Sequence, residues 1–385
     1  MRVSKSCVNE SVIKHVAQSI SILALLAAAG CATAPVEVSE EARPEPIEIV
    51  APTPAAPAPD YEAMRITVAA TGDIMLGTDY PENHLPDDDG VSFLSAVAPL
   101  LQSADISFGN LEGVLQDGGE PVKECNNPKA CYLFRSPTRY ASHLAAAGFD
   151  VMSIANNHAR DFGEVGRDST MAALDRAGIR HSGRQGSIAS WRQDELQIAM
   201  IAFSPTRGSW PLLETEAAIA TVRDLAHQHE IVIVSFHGGA EGFDGAERLV
   251  FGMEFAYGEP RGDVVKFSRA MIDAGADLVL GHGPHVPRAM ELYKDRLIAY
   301  SLGNFATYYG ISVTGVKGYA PVLVTELDGN GRFVSGRVHS NIQVRPGGPQ
   351  PDPRQRALTM IRELTEADFP DGKLMFSADG RLSSR

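Results

Sequence analysis

The order of apolar and polar segments in this chain predicts an α/β fold built on mixed sheets. Three observations carry the prediction. From Arg65 onward, strand, loop and helix patterns alternate. Helical segments close on Ala147-Gly148, Ala177-Gly178 and Ala274-Gly275, and glycine is the residue that most readily takes the left-handed stop. The alternation ends in two apolar runs around Asp-Gly-Asn-Gly, residues 328–331, the signature of a hairpin. A βα alternation closed by an antiparallel piece suggests a mixed-sheet sandwich rather than a purely parallel, doubly wound sheet.

Taken in order, "RITVAAT" from Arg65 reads as a strand, "VSFLSAVAPLLQSA" from Val91 as a helix, "DISFGN" as a strand, "PTRYASHLAAAG" as a helix and "FDVMSIA" as a strand. The helix "GRDSTMAALDRAG" follows, then "LQIAMIAFS", "EAAIATVRDLAHQH", "EIVIVSFHG", "DVVKFSRAMIDAG", "ADLVLG" and "RLIAYSLG" in the same alternation. The hairpin runs from Ala320 to Val344. Residues 346–385 read as a tail with one short amphipathic helix, "RQRALTMIRELTEA".

The N-terminus sets the compartment. Arg2, Lys5 and Lys14 precede an apolar run, Ile20 to Gly30, too short to span a bilayer, so residues 1–30 read as a secretory signal. "AAGC" ending at Cys31 resembles the lipobox of bacterial lipoproteins, although Ala28 stands where Leu is usual. That resemblance implies cleavage before Cys31 and its acylation. The alternative is an ordinary signal cleavage that leaves Cys31 a bystander. Ala32 carries no inner-membrane retention signal, which points to the outer membrane. Residues 31–64 are rich in Pro, Ala and Glu without helical or strand period and read as a linker, reaching at most ~90 Å at ~3.1 Å per residue. The predicted domain is then 65–345.

Composition narrows the partners. The 385-residue chain is 44% hydrophobic and carries a formal charge of −14. Arg2, Lys5 and Lys14 against Glu10 give residues 1–30 a net of +2, leaving −16 on the remainder. That balance argues against nucleic acid and against broad docking on anionic lipid. Any anionic substrate must meet a local positive centre, which a bound metal supplies. Cys125 and Cys131 flank an Asn-Asn-Pro turn and read as a small-loop disulfide in an oxidising compartment. The alternative, a Cys-x5-Cys metal site, has no His or further Cys close by in sequence.

The positions just after the strands hold the chemistry. They deliver Asp73, then Asn110 and Glu112, then Asn156, Asn157, His158 and Asp161, then His237 and Glu241, then His282 and His285, then Asn304. Taken singly, Asp73 and Asn110 could cap helices, Asn156 could hold a left-handed turn, and a lone His more often satisfies a hydrogen bond than binds metal. Two imidazoles on the tight turn "GHGPH" can face one ion, and the joint pattern points to a metal site. Oxygen and imidazole donors without thiolate suit Mn, Fe, Zn or Mg. The set exceeds what one ion needs, so two divalent ions bridged by a carboxylate are expected.

These motifs, "TGDIMLG", "NLEG", "FRSP", "ANNHARDFG", "HGGAE", "GADLVLGHGPHV" and "YSLGNF", resemble the CapA-type poly-γ-glutamate capsule biosynthesis family, a branch of the calcineurin-like metallophosphoesterase superfamily. The resemblance runs from about Arg65 to Val344. It implies a four-layer α-β-β-α sandwich with the site at one edge of the two sheets. It further implies metal ligands at Asp73, Glu112, Asn157, His237, His282 and His285, with His158 as the acid that protonates the leaving oxygen and Asp161 orienting it. Asn110, Asn156, Glu241 and Asn304 are left as candidates for substrate binding. Met75 stands where the wider superfamily has the His of Asp-x-His, and Thr78 and Gly238 also depart from residues common in such sequences.

The expected function is a lipid-anchored, exported envelope protein at the periplasmic face. It would make or handle an anionic extracellular polymer or its precursor, with polymer synthase or export proteins as partners. Its chemistry would be hydrolysis or transfer at a phosphoester or amide by a metal-bound hydroxide. The rival is a non-catalytic accessory that binds polymer or synthase on a fold with a partial metal site.

Overall fold

The computed structural model describes residues 60–123, 131–241 and 246–385. The expected signal peptide, Cys31, the linker up to residue 59 and Cys125 lie outside the described residues. Cys131 is disulfide-bonded.

Among the described residues, fifteen strands of three residues or more form two facing sheets. In chain order the first of them are β1 (Arg65–Met75), β2 (Ile106–Leu111), β3 (Val151–Ser153), β4 (Arg180–Ser182), β5 (Ala189–Gln193) and β6 (Leu196–Ser204). Then come β7 (Ile231–His237), β8 (Leu278–His282), β9 (Met290–Tyr293), β10 (Arg296–Ala299) and β11 (Asn304–Thr307). The last are β12 (Val322–Asp328), β13 (Phe333–His339), β14 (Leu374–Phe376) and β15 (Arg381–Ser384). One sheet has the order β14-β15-β13-β12-β1-β2-β3-β4, with β11 against the end of β1. The other has the order β9-β10-β8-β7-β6-β5. Strands β1 to β4 pair in parallel, as do β6, β7, β8 and β10, whereas β12 runs antiparallel to β1 and β13 antiparallel to β12.

Strand periodicity explains the layering. In β6, Ile198, Met200 and Ala202 point into the core between the sheets, and Ala199, Ile201 and Phe203 point outward. In β1, Val68 and Ala70 face that same core and Ala69 faces the opposite side. Because both faces are covered, successive positions are apolar and the strands read as continuous runs. Helices α1 (Tyr140–Ala147) and α2 (Gly163–Arg176) cover the first sheet through Leu144 and Leu174. Helices α3 (Thr215–Ala226) and α4 (Val264–Asp273) cover the second through Val222 and Phe267. The result is the four-layer α-β-β-α sandwich.

Two expectations are corrected. The segment 91–104 is mostly turns, with only Ala98–Leu101 helical. Pro99 explains this, since a proline has no N–H for the helix ladder and is tolerated only in a first turn. Residues 346–385 are also more than a tail. Helix α5 (Arg356–Asp368) sends Leu358 and Ile361 into the inter-sheet core, and β14 and β15 extend the first sheet beyond β13. The hairpin turn forms as expected, with Asp328 Oδ1 accepting from the Asn330 and Arg332 amides at 2.9 Å each.

Candidate functional site

Parallel strands end together, and their ends build the site. Asp73 is in register with Asn110 on one side and Asn304 on the other, while His237 pairs with His282 across β7 and β8. Close backbone approach makes this possible: a Cβ on Gly72 would lie 2.0 Å from the Gly303 carbonyl oxygen, and Asp73 N donates to that same oxygen at 2.8 Å. The two sheets meet where His282 Nε2 donates to Thr71 O at 3.0 Å. That bond leaves Nδ1 as the ring nitrogen with a free lone pair.

His285 stands at the centre, in the left-handed region at φ 59°. A non-glycine residue there is strained and must be held by its surroundings. Its Nδ1 lies 2.8 Å from Asp73 Oδ2 and 3.1 Å from Asn304 Oδ1, and its Nε2 lies 3.2 Å from Glu241 Oε2 and 3.6 Å from Glu112 Oε1. Asp73, Glu112 and His285 form the one group of three whose ligand atoms all lie within 4.8 Å of one another among the described residues. The His237 ring packs edge-on to His285 at 6.2 Å.

Charge follows from burial. Burial, then the charges of Asp73 and Glu241, push the Glu112 carboxyl well above its usual range despite His285 nearby. Burial also works to raise Asp73, but the hydrogen bond and charge of His285, with His282 and His237 behind, hold it at about 2. His285 itself is raised well above normal: burial opposes this, and the acids Glu112, Asp73 and Glu241 overcome it. Burial lowers His237 to about 3 and also lowers His282 and His158.

Several buried polar atoms here have no hydrogen-bond partner: both oxygens of Glu112, both ring nitrogens of His237, His282 Nδ1 and Asn157 Oδ1. Such atoms are costly and uncommon, and a cluster of them at one place suits the binding of a cation. The donor set of carboxylate, imidazole and amide fits a divalent ion.

Beside this floor, His158 Nδ1 lies 2.7 Å from Asp161 Oδ2, while His158 Nε2 points toward Glu112 Oε1 at 3.9 Å. The Phe134 amide donates to Asp161 Oδ2 at 2.9 Å, and the Phe134 ring packs on His158 with centroids 4.3 Å apart and planes tilted by 36°.

Three residues read as candidates for substrate binding are otherwise committed. Asn110 Nδ2 donates to Asp73 Oδ1 at 2.8 Å; Asn156 donates to Leu111 O at 2.8 Å and accepts from His158 N at 3.0 Å; Asn304 Nδ2 donates to Ser312 O and Lys317 O. All three are fully buried, and through these bonds they orient their neighbours. Glu241 does line the open cleft of about 900 Å³ above the site.

Sequence reasoning missed Lys123, which ion-pairs with Asp161 Oδ1 at 2.9 Å, and Arg261, which lies 3.3 Å from Glu241. Lys123 sits in "PVKECNN", a stretch read only for its cysteines. Phe134 lies in the quoted "FRSP" motif, which had been given no role.

The model of the family described as "Bacterial capsule synthesis protein PGA_cap" matches residues 67–309. The chain is 28% identical over 342 residues to the PGA biosynthesis protein CapA of Bacillus subtilis (strain 168), covering 82% of this chain and 83% of that one. It is 27% identical over 351 residues to the capsule biosynthesis protein CapA of Bacillus anthracis, covering 85% and 79%. Among solved structures, a 5'-nucleotidase precursor from Thermus thermophilus is similar with a TM-score of 0.38 and 14% identity, over 79% of this chain and 59% of that one.

Proposed function

We propose, on the premise that this chain belongs to the bacterial capsule synthesis protein family PGA_cap, that it is a metal-dependent hydrolase or transferase acting on an anionic extracellular polymer of the poly-γ-glutamate type, or on its precursor. The observation that carries the reading is the cluster of buried, partnerless ligand atoms on Glu112, His237, His282 and Asn157 beneath an open cleft. With Asp73 and His285 these residues would hold one or two divalent ions. When bound, such ions supply the positive charge that polarises an ester or amide oxygen and stabilises the charge developing on it.

The chain's own residues do the rest. Asp161 holds the His158 ring by Nδ1, so that Nε2 faces the cleft, where it can give a proton to a leaving oxygen. Asn110 and Asn304 fix Asp73 and His285. Among the described residues, Lys123, Arg160, Arg207, Arg261 and Lys317 line the cleft wall against Glu241 and Glu259, above the acids Asp73, Glu112 and Asp161 of the floor, the reverse of the −14 balance of the whole chain. A cationic cleft in an acidic protein raises the local concentration of an anionic substrate. The relatives named for capsule and PGA biosynthesis support the polymer as that substrate. We place the domain in the cell envelope, tethered through Cys31 and near synthase or export partners.

A second reading, a polymer- or synthase-binding accessory, is favoured by Met75 at the place of the expected ligand histidine. A relative named "Probable polyglutamine synthesis accessory protein Rv0574c", from Mycobacterium tuberculosis, agrees with it. Metal analysis of the purified protein, run beside hydrolysis of bis(p-nitrophenyl) phosphate and of γ-glutamyl oligomers, separates the two. Bound Mn, Fe, Zn or Mg with turnover that chelator abolishes supports the enzyme. Metal-free protein that still restores polymer production in cells overturns it.

A further inference from the structure

We propose that Lys123 is a positioning residue for the His158–Asp161 pair, locking the Asp161 carboxylate in one orientation and His158 in one tautomer; this rests on the reading of His158 as a proton donor. Asp161 is fully buried; Oδ2 is hydrogen-bonded, whereas Oδ1 makes no hydrogen bond and meets only the charge of Lys123. Oδ2 takes the Phe134 amide and His158 Nδ1; Oδ1 faces the Lys123 ammonium at 2.9 Å. Lys123 is the one Lys or Arg within ion-pair distance of Asp161 among the described residues. The amides of Val122 and Lys123 both donate to the Asp161 carbonyl, at 2.9 and 3.2 Å, so main chain and side chain strap this segment onto the loop together.

The lysine ammonium also lies 3.2 Å from the Asn157 carbonyl oxygen and 3.4 Å from His158 Nδ1. Two arrangements therefore compete for Nδ1. Either it carries the proton and donates to Asp161, or it is bare and accepts from Lys123, which can only donate. The 2.7 Å contact with Asp161 outweighs the 3.4 Å contact with the lysine, so the proton sits on Nδ1 and Nε2 is the nitrogen that exchanges protons with the cleft. A carboxylate held at one oxygen can swing. Held at both, it presents a single acceptor to the ring.

The test compares Lys123→Met and Lys123→Arg with wild type by nitrogen-15 NMR of the His158 imidazole, in metal-free and magnesium-loaded protein, and by turnover of bis(p-nitrophenyl) phosphate. Wild type and Lys123→Arg should show one Nδ1-protonated tautomer, and Lys123→Met a mixture of tautomers. Lys123→Met should lower kcat roughly 10- to 100-fold, the effect of a slightly misplaced catalytic group, with KM and metal content unchanged and with Arg restoring most of the loss. On a His158→Ala background the same change should cost nothing further. If wild type does not turn over the diester, the enzyme reading fails and the NMR comparison alone decides the lysine. An unchanged imidazole spectrum in Lys123→Met overturns the proposal, as does an equal loss on the His158→Ala background. Should Lys123→Met not fold, Lys123→Gln is read by the same measures.

Discussion

Neighbours in one loop should respond to alanine in opposite ways. Asn157 Oδ1 is buried without a hydrogen-bond partner, so Asn157→Ala removes no internal bond and relieves a desolvated oxygen that costs on the order of 1–3 kcal/mol. Metal-free Asn157→Ala should therefore unfold at the wild-type urea midpoint or slightly above it. Its retained metal should nevertheless drop: loss of an outer-shell partner already costs about 10- to 100-fold in affinity, and loss of a ligand costs no less. His158→Ala inverts both effects. It deletes the 2.7 Å contact with the Asp161 carboxylate and the tilted ring contact with Phe134 at 4.3 Å. A charge-assisted hydrogen bond contributes about 1.5–3 kcal/mol and an aromatic pair about 0.5–1.5 kcal/mol, so metal-free stability should fall by ~2–4 kcal/mol while bound metal stays near wild type. The assay is urea unfolding of chelator-stripped protein, paired with metal content after dialysis against limiting Mn²⁺. His158→Ala losing the metal while Asn157→Ala keeps it would reverse the assigned roles and refute the reasoning.

Further outcomes follow from residues away from this loop. Cys31→Ser should move the protein from the membrane fraction to the soluble periplasmic fraction, and unchanged membrane association removes the lipid anchor. Burial, opposed by Val232 N and Arg296, raises the Asp277 carboxyl to about 6 from 3.8, so the folded state holds its proton more tightly than the unfolded chain does. That stabilisation, ~3 kcal/mol at most, is complete below about pH 3.8 and lost as pH rises through about 6; Asp277→Asn should flatten the pH dependence of unfolding across that window, and parallel curves for the two proteins refute it. Arg288→Ala should destabilise by about 3–5 kcal/mol, because it strands the buried Glu254 carboxylate that Arg288 binds at 2.8 and 3.0 Å; Arg288→Met with Glu254→Gln should recover most of the loss in thermal unfolding, and no recovery argues against the pair.

What could be read from sequence depended on whether the informative contact was local. The strands and their ligand-bearing ends were legible because both faces of β1, β6, β7 and β8 are buried, which writes each as an apolar run and throws Asp73, His237 and His282 into relief at its end. Segment 91–104 misled because its apolar spacing outweighed a single Pro99. Strands β14 and β15 were missed because they are three and four residues long at the end of the sheet, β14 being its edge, and most of their side chains face water, so no apolar run forms. Lys123 was illegible for a different reason: its partner is 38 residues further along, and nothing in "PVKECNN" marks a lysine whose head group reaches a buried carboxylate.

Met75 shows why the absent ligand histidine does not by itself dismantle the site. Its side chain is buried in a small cluster with Phe134 and Ile311, and Phe134 is the residue that both donates to Asp161 and packs on His158. The position expected to touch a metal therefore braces the pair expected to move a proton. The remaining ligands keep an arrangement that is expensive without a cation: Glu112 and His237 are each about 1% exposed and between them leave four polar atoms without hydrogen bonds. At roughly 1–3 kcal/mol for each unsatisfied group, a surface that only bound polymer would gain from replacing these residues with apolar ones of similar size. That the fold carries them on its strand ends, beneath an open cleft and beside an imidazole paired with a buried carboxylate, is what the metal-assisted chemistry proposed above would require.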